Sequence, residues 1–333
     1  MIDNILIGTY TKKDSKGIYS VQLDTEKKQL QDLELLVPTS NPTYLSVSSD
    51  NTLYSVVKDG EKGGLAKTDL SDTEIKVNKI ASAPGTPPAY VSVDDKNKIV
   101  YDANYHEGTV HAYSQDLDVL GEFQNSGSGP KEEQDGSHLH YVDQTPDGHL
   151  VACDLGTDEV FILDFKDSKF TTLSTYHTEP GFGPRHIVFA PNKKIAYLAG
   201  ELASQVEVLS YEENKFTHVQ TVSTIPSDYS EHNGAAAIRI DSTGRFLYVS
   251  NRGFDSIAVF KIQTDYQLDL IQNISVEGSF PRDFALNPSE EFIVVANQNT
   301  DNLTLFGRNN EDGKLTLLQK DFHAPEGVCV YFN

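Results

Sequence analysis

Tryptophan is absent from the 333 residues, methionine occurs once and cysteine only twice. Without tryptophan, the Trp-Asp dipeptide that marks WD repeats cannot occur. Two cysteines, Cys153 and Cys329, are too few for a disulfide framework, and they read as buried thiols of a cytosolic protein. No run of eighteen apolar residues exists to span a bilayer. The start, Met1-Ile2-Asp3-Asn4, lacks the basic and apolar segments of a signal peptide, so a cytoplasmic location is expected. Positive charge is also scarce. Lys and Arg number 27 against 49 Asp and Glu, a formal net charge of −22, which argues against nucleic acid or an anionic membrane as partner. It does not argue against a small anion, which responds to its local site. Oligomeric state is not legible here.

What is present is a repeat. A turn residue, often proline, precedes a short apolar strand; an Asp/Pro/Gly turn follows, then a second strand, a polar loop and further alternating strands. Ala235 to Phe260 shows it most clearly, with strands expected over Ile238 to Asp241, Phe246 to Ser250, Ile257 to Ile262 and Leu268 to Ile274. Aligned copies place Pro42, Pro88, Ser137, Pro184, Ala235, Pro281 and Pro325 at one position, with spacings of 46, 49, 47, 51, 46 and 44. Apolar residues alternate with period two and long helical periodicity is missing. The fold class expected is all-β: a seven-bladed β-propeller with four-stranded blades, forming a single domain over residues 1–333. The last copy is split. Glu326 to Phe332 supplies its first strand, and Ile5 to Gly8, Gly17 to Leu23 and Leu33 to Val37 supply the others, so the two chain ends share a blade and close the ring.

In such a repeat, the loop before strand one and the loop after strand two lie on one face, where a site can form at the mouth of the channel. The position after the aligned residue reads Thr43, Ala89, His138, Arg185, Ala236, Arg282 and Glu326. The ends of the second strands read Asn104-Tyr105, Asp154-Leu155, Gly200-Glu201, Asn251-Arg252 and Asn297-Gln298. His138, Arg185, Glu201, Arg252 and Arg282 are therefore expected to converge: cations, an imidazole and a carboxylate, suited to a small anion and to acid–base chemistry. The Asn/Asp column reads first as turn-forming residues. His138-Leu139-His140 on one strand face would suit a metal, but a third ligand would have to come from Glu201 or Asp154. No metal and no cofactor are expected. The other histidines, His111 among them, read as structural or solvated. Gly127-Ser128-Gly129-Pro130 is followed by no helix, and no Gly-x-Ser-x-Gly elbow occurs.

Four segments carry a resemblance that covers essentially the whole chain: Leu6-Ile7-Gly8-Thr9-Tyr10-Thr11; Ala152-Cys153-Asp154-Leu155-Gly156-Thr157-Asp158; Pro180-Gly181-Phe182-Gly183-Pro184-Arg185-His186; and Val249-Ser250-Asn251-Arg252-Gly253-Phe254-Asp255-Ser256-Ile257-Ala258-Val259-Phe260. They resemble the seven-bladed propeller lactonases, a family of bacterial 6-phosphogluconolactonases that also includes a fungal carboxy-muconate lactonizing enzyme. The resemblance implies a catalytic set of His138, Arg185, Glu201 and Arg252. Substrate contacts are expected from His140, His186, Asn251 and Arg282. Where the family often reads Arg-Gln-x-x-Pro-His-x-His, this chain reads Glu133-Gln134-Asp135-Gly136-Ser137-His138-Leu139-His140.

The resemblance thus implies hydrolysis of a small anionic sugar lactone, 6-phosphogluconolactone foremost, a reaction of the pentose phosphate pathway. Arg185 or Arg252 would stabilise the oxyanion, His138 or Glu201 would move the proton, and Arg282 would hold the phosphate. Two rival readings are a lactonizing cycloisomerase acting on a muconate-type diacid and a non-catalytic propeller that binds a protein partner. The last predicts an exposed apolar patch, for which Tyr105 and Phe254 are the candidates.

Overall fold

The computed structural model describes all 333 residues. Twenty-eight strands form seven four-stranded sheets, and one 3-10 turn, Glu132–Gln134, accompanies them. The all-β, seven-bladed class read from the repeats is the class observed. Within a sheet, consecutive strands pair antiparallel, as in Gly234–Ile240, Phe246–Arg252, Ser256–Ile262 and Leu268–Ser275. The seventh sheet joins the C-terminal strand Gly327–Phe332 to Ile2–Thr9, Gly17–Asp24 and Gln29–Pro38, which is the shared blade expected from the split copy.

The chain divides into two compact units. One comprises residues 1–35, 186–211 and 216–333; the other comprises residues 36–185 and 212–215. In the first, alternate residues of neighbouring sheets interdigitate: Tyr197, Val206 and Val208 meet Ile238, Leu247, Val249 and Phe260, all buried. Farther along the same unit, Ile5, Ile7 and Val330 meet Val294, Leu303 and Leu305. In the second unit, Tyr101, Val110 and Ala112 pack on Leu139, Val142, Ala152 and Leu163. Fully burying each Leu, Ile, Val or Phe contributes about 1.5–3 kcal/mol, so period-two patterning on every strand is enough to hold the sheets. Both cysteines are buried and free, as expected.

The strands run slightly beyond the sequence expectation, for a local reason. The fifth sheet starts at Gly234 rather than Ile238, because Ala235, Ala236 and Ala237 are small enough to continue the strand through a bulge between Ala235 and Ile238. Similar register shifts fall between Leu139 and Tyr141 and between Pro281 and Asp283. A bulge re-aims the extra side chain. Here the residues it re-aims are His140 and Arg282. Glu326, expected in the last strand, lies just outside it with φ of 52°. Its carboxylate instead accepts the backbone N–H groups of Lys12, Lys13 and Ser15 at 2.9, 3.0 and 3.1 Å.

Candidate functional site

In the second unit, the site residues are organised by a carboxylate at a strand end. Asp154 closes the strand Leu150–Asp154 and accepts the N–H of His138 at 2.7 Å, the Ser137 hydroxyl at 2.5 Å, and the N–H groups of Gly156 and Thr157 at 3.0 and 3.2 Å. It thereby ties the segment before one strand to the turn after the next, which is the Asx role expected of the column. Gly156 lets the two backbones meet. A Cβ there would lie 1.8 Å from the Gly136 carbonyl oxygen and 2.9 Å from Cδ2 of His138. Gln134, fully buried, donates to the Leu155 carbonyl at 2.9 Å and pins the other end of the same segment.

His138 stands just before the strand Leu139–Gln144 rather than on it, and the bulge follows immediately. The i, i+2 strand geometry that would aim two imidazoles at one metal is therefore not formed. The His138 ring stacks on Tyr105, centroids 4.2 Å apart and planes 5° apart, while His140 meets the same Tyr105 ring edge-on at 5.9 Å. The Tyr105 carbonyl lies 2.8 Å from Nδ1 of His138 and a carboxylate oxygen of Asp135 lies 2.9 Å from Nε2. Tyr105 is thus occupied within the site and does not form an exposed apolar patch. An open depression of about 750 Å³ adjoins this ring, and Glu107, Glu132, Glu133 and Asp135 are among its walls. Cys153, one residue before Asp154, is fully buried. Burial, with the Asp154 charge beside it, pushes its thiol far up.

Arg185 lies on the strand Pro184–Phe189 and is only 2 % exposed. The segment leading to it is tied to the turn of the preceding sheet. The Asp158 carboxylate takes the N–H groups of Gly181 and Gly183 at 2.7 and 2.8 Å. Both glycines have positive φ, 85° and 65°. Two of the family segments, 152–158 and 180–186, are thus the two halves of one latch that sets Arg185.

In the first unit, Glu201 and Arg252 come together. Nη2 of Arg252 lies 2.8 Å from a Glu201 carboxylate oxygen, and both side chains are largely buried. The guanidinium also lies 5.1 Å from the Phe280 ring centroid and 3.4 Å from the carbonyls of Gly234 and Ala235. A buried arginine bonded to one carboxylate is a preorganised donor, and the carboxylate is a proton acceptor held beside it. Arg282 sits 5.8 Å over the Tyr10 ring. His186 is buried on its strand.

Asn251 is corrected from a substrate contact to a structural residue. It is 0 % exposed, its amide oxygen accepts from Thr224 and Asn233 at 2.7 and 3.2 Å, and its amide nitrogen donates to Thr224 and Ser256 at 3.0 and 3.3 Å. Sequence reasoning missed the latch aspartates. Asp158, Asp255 and Asp301 each follow an Asx residue by four, and each has positive φ: 59°, 49° and 52°. Asp255 binds the N–H of Phe280 and Asp301 that of Glu326, both at 2.8 Å, so each turn grips the loop leading into the next sheet. The spacing in 154/158, 251/255 and 297/301 was the available signal.

Residues 4–332 match the family described as "Lactonase, 7-bladed beta-propeller". The chain is 42% identical to the 6-phosphogluconolactonase of Bacillus subtilis over 338 residues, covering 98% of this chain and 97% of that protein. A crystal structure of a protein from Lactobacillus plantarum superposes with a TM-score of 0.98 at 50% identity, covering 100% of both chains. The periplasmic gluconolactonase PpgL of Pseudomonas aeruginosa superposes with a TM-score of 0.92 at 29% identity, covering 100% of this chain and 99% of that one. No helix is long and apolar enough to cross a membrane. With its seven four-stranded sheets and a family match over nearly its whole length, the chain belongs to the seven-bladed β-propeller lactonases.

Proposed function

We propose that the protein hydrolyses a sugar δ-lactone, with 6-phosphogluconolactone as its substrate. The observation that carries this reading is the Arg252–Glu201 pair: a buried guanidinium, on a segment that carries the family resemblance, and a carboxylate 2.8 Å from it. Water attacks the ring carbonyl, charge develops on its oxygen, and the ring oxygen leaves as a hydroxyl. Arg252 or Arg185 supplies donors to the oxyanion. Hydrogen bonding supports one division of the proton work. Both nitrogens of His138 face acceptors, a carbonyl and a carboxylate. This suits His138 as the donor to the leaving oxygen and leaves Glu201 as the acceptor of water's proton. Arg282 and His140, both re-aimed by bulges, and the neighbouring His186 are proposed as substrate contacts. The phosphorylated substrate is supported by the name of the Bacillus subtilis relative.

A second reading, hydrolysis of the unphosphorylated lactone, is favoured by the carboxylates beside His138, including Glu133 where the family often has arginine. A panel of 6-phosphogluconolactone, gluconolactone and a muconate-type diacid, read by proton release or uptake, tests both. Hydrolysis of the phosphorylated lactone well above its spontaneous rate is expected, with Glu201→Gln and Arg252→Lys reducing turnover on the order of 10²-fold or more. If neither lactone is hydrolysed faster than spontaneously, the reading fails.

A further inference from the structure

The two nitrogens of His138 are held very differently. On the Nδ1 side the partner is built in: the Tyr105 carbonyl at 2.8 Å, with the Tyr105 ring stacked flat on the imidazole. On the Nε2 side the partner is Asp135, whose side chain is 83 % exposed while that of His138 is 10 % exposed. Asp135 follows the short turn Glu132–Gln134 and precedes Gly136, around which a Cβ would find nothing within 4 Å. His138 and Asp135 both line the open depression of about 750 Å³, and one side chain on a roomy loop thus occupies Nε2 there. A contact whose one partner is this exposed is readily exchanged, because side-chain entropy and water offset most of its attraction.

We propose that Nε2 of His138 is the contact for an anionic oxygen of the reacting group, and that Asp135 is its resident, displaceable occupant. The proposal rests on the lactonase reading. The Asp135 carboxylate stands where the leaving ring oxygen, anionic as the acyl–oxygen bond breaks and a hydroxyl in the ring-opened acid, would bind. Asp135 therefore competes with the product for His138 and assists its departure. Asp135 is a positioning residue in this scheme, acting through His138.

The test uses the full chain labelled with ¹⁵N-histidine, titrated with sodium gluconate and followed through the His138 ring resonances by NMR. In the wild type, gluconate is expected to move the Nε2 signal. In Asp135→Ala and Asp135→Asn the dissociation constant should fall roughly two- to fivefold, the range set by releasing an exposed charge pair. Asp135→Glu should restore the wild-type value, and His138→Gln should abolish the Asp135-dependent difference. An unchanged or weaker affinity in both Asp135→Ala and Asp135→Asn overturns the proposal. The titration does not depend on turnover. A protein that passes it but hydrolyses no lactone sinks the lactonase reading and, with it, the product-release role. An active lactonase that fails it sinks only the role of Asp135.

Discussion

Adding one carbon atom to Gly156 should disable the enzyme with only a modest loss of stability. Gly156 is not among the residues of positive φ, so alanine meets no backbone penalty there. What it meets is space already filled: its Cβ would stand 1.8 Å from the Gly136 carbonyl oxygen and 2.9 Å from Cδ2 of His138. Non-bonded carbon and oxygen do not approach that closely, so the Gly136–His138 segment has to retreat by roughly 1 Å or more, and such a misplacement typically costs about 10²-fold in rate. Asp154 opposes the retreat through its bonds to Ser137 and the His138 N–H, so the strain is shared by both loops. Overpacking of this kind costs about 1–3 kcal/mol. The assay is initial-rate proton release on the lactone, beside a thermal melt. Gly156→Ala should lose about two orders of magnitude in kcat/KM and melt a few degrees lower. Gly136→Ala is the control, since a Cβ there meets nothing within 4 Å, and it should retain activity. Wild-type turnover in Gly156→Ala would show that the position of His138 does not matter to the reaction.

Three further outcomes are expected. Arg185→Ala should lower turnover by about 10²–10³-fold and, because the side chain is buried, should also lower the melting temperature; Arg185→Lys should recover stability better than rate. A fully active Arg185→Ala would remove Arg185 from the site. Deleting residues 325–333 takes away the partner strand of Ile2–Thr9 and should abolish a cooperative calorimetric transition; an undiminished sharp melt would refute the shared blade as a structural necessity. His111 lies 2.9 Å from Asp102 and 3.2 Å from Glu122. Burial alone would lower its pKa, but these two carboxylates outweigh it and raise the imidazole to about 9. A raised folded value means that the stabilisation is complete below the unfolded pKa of about 6.5 and is lost as pH rises through about 9. The advantage of the wild type over His111→Gln in urea midpoint should therefore be largest near pH 6 and shrink by pH 10, and a constant gap would contradict the ion-pair assignment.

The architecture was legible because it depends on quantities that a sequence carries directly. A period of two on each strand and a period of about 47 along the chain decide which residues face inward and how many sheets form. No neighbour has to be known for either. The split seventh copy was legible for the same reason, since Ile5 and Val330 had to find partners for their alternating faces and had only each other's strands left. The site was legible to the level of loop position and no further. Glu201 and Arg252 could be placed at the ends of two second strands, and they do meet.

What could not be read depends on a single atom's reach. Asn251 and Arg252 are adjacent in one motif and alike in polarity, yet Thr224, Asn233 and Ser256 saturate the amide while the guanidinium is left to Glu201. Nothing in the spacing separates the two. The burial of Arg185 is illegible for a related reason: the segment leading to it is held by Asp158, twenty-seven positions away, through Gly181 and Gly183. The recurrence of that aspartate in three turns suggests why the family segments are long. A catalytic side chain at the start of a strand can be no more fixed than the loop that delivers it, and the loops leading to Arg185, Arg282 and Glu326 are each held by a carboxylate in the preceding sheet. The glycines, the latch aspartate and the arginine are then one mechanical unit, and a substitution in any of them should be felt at the same guanidinium.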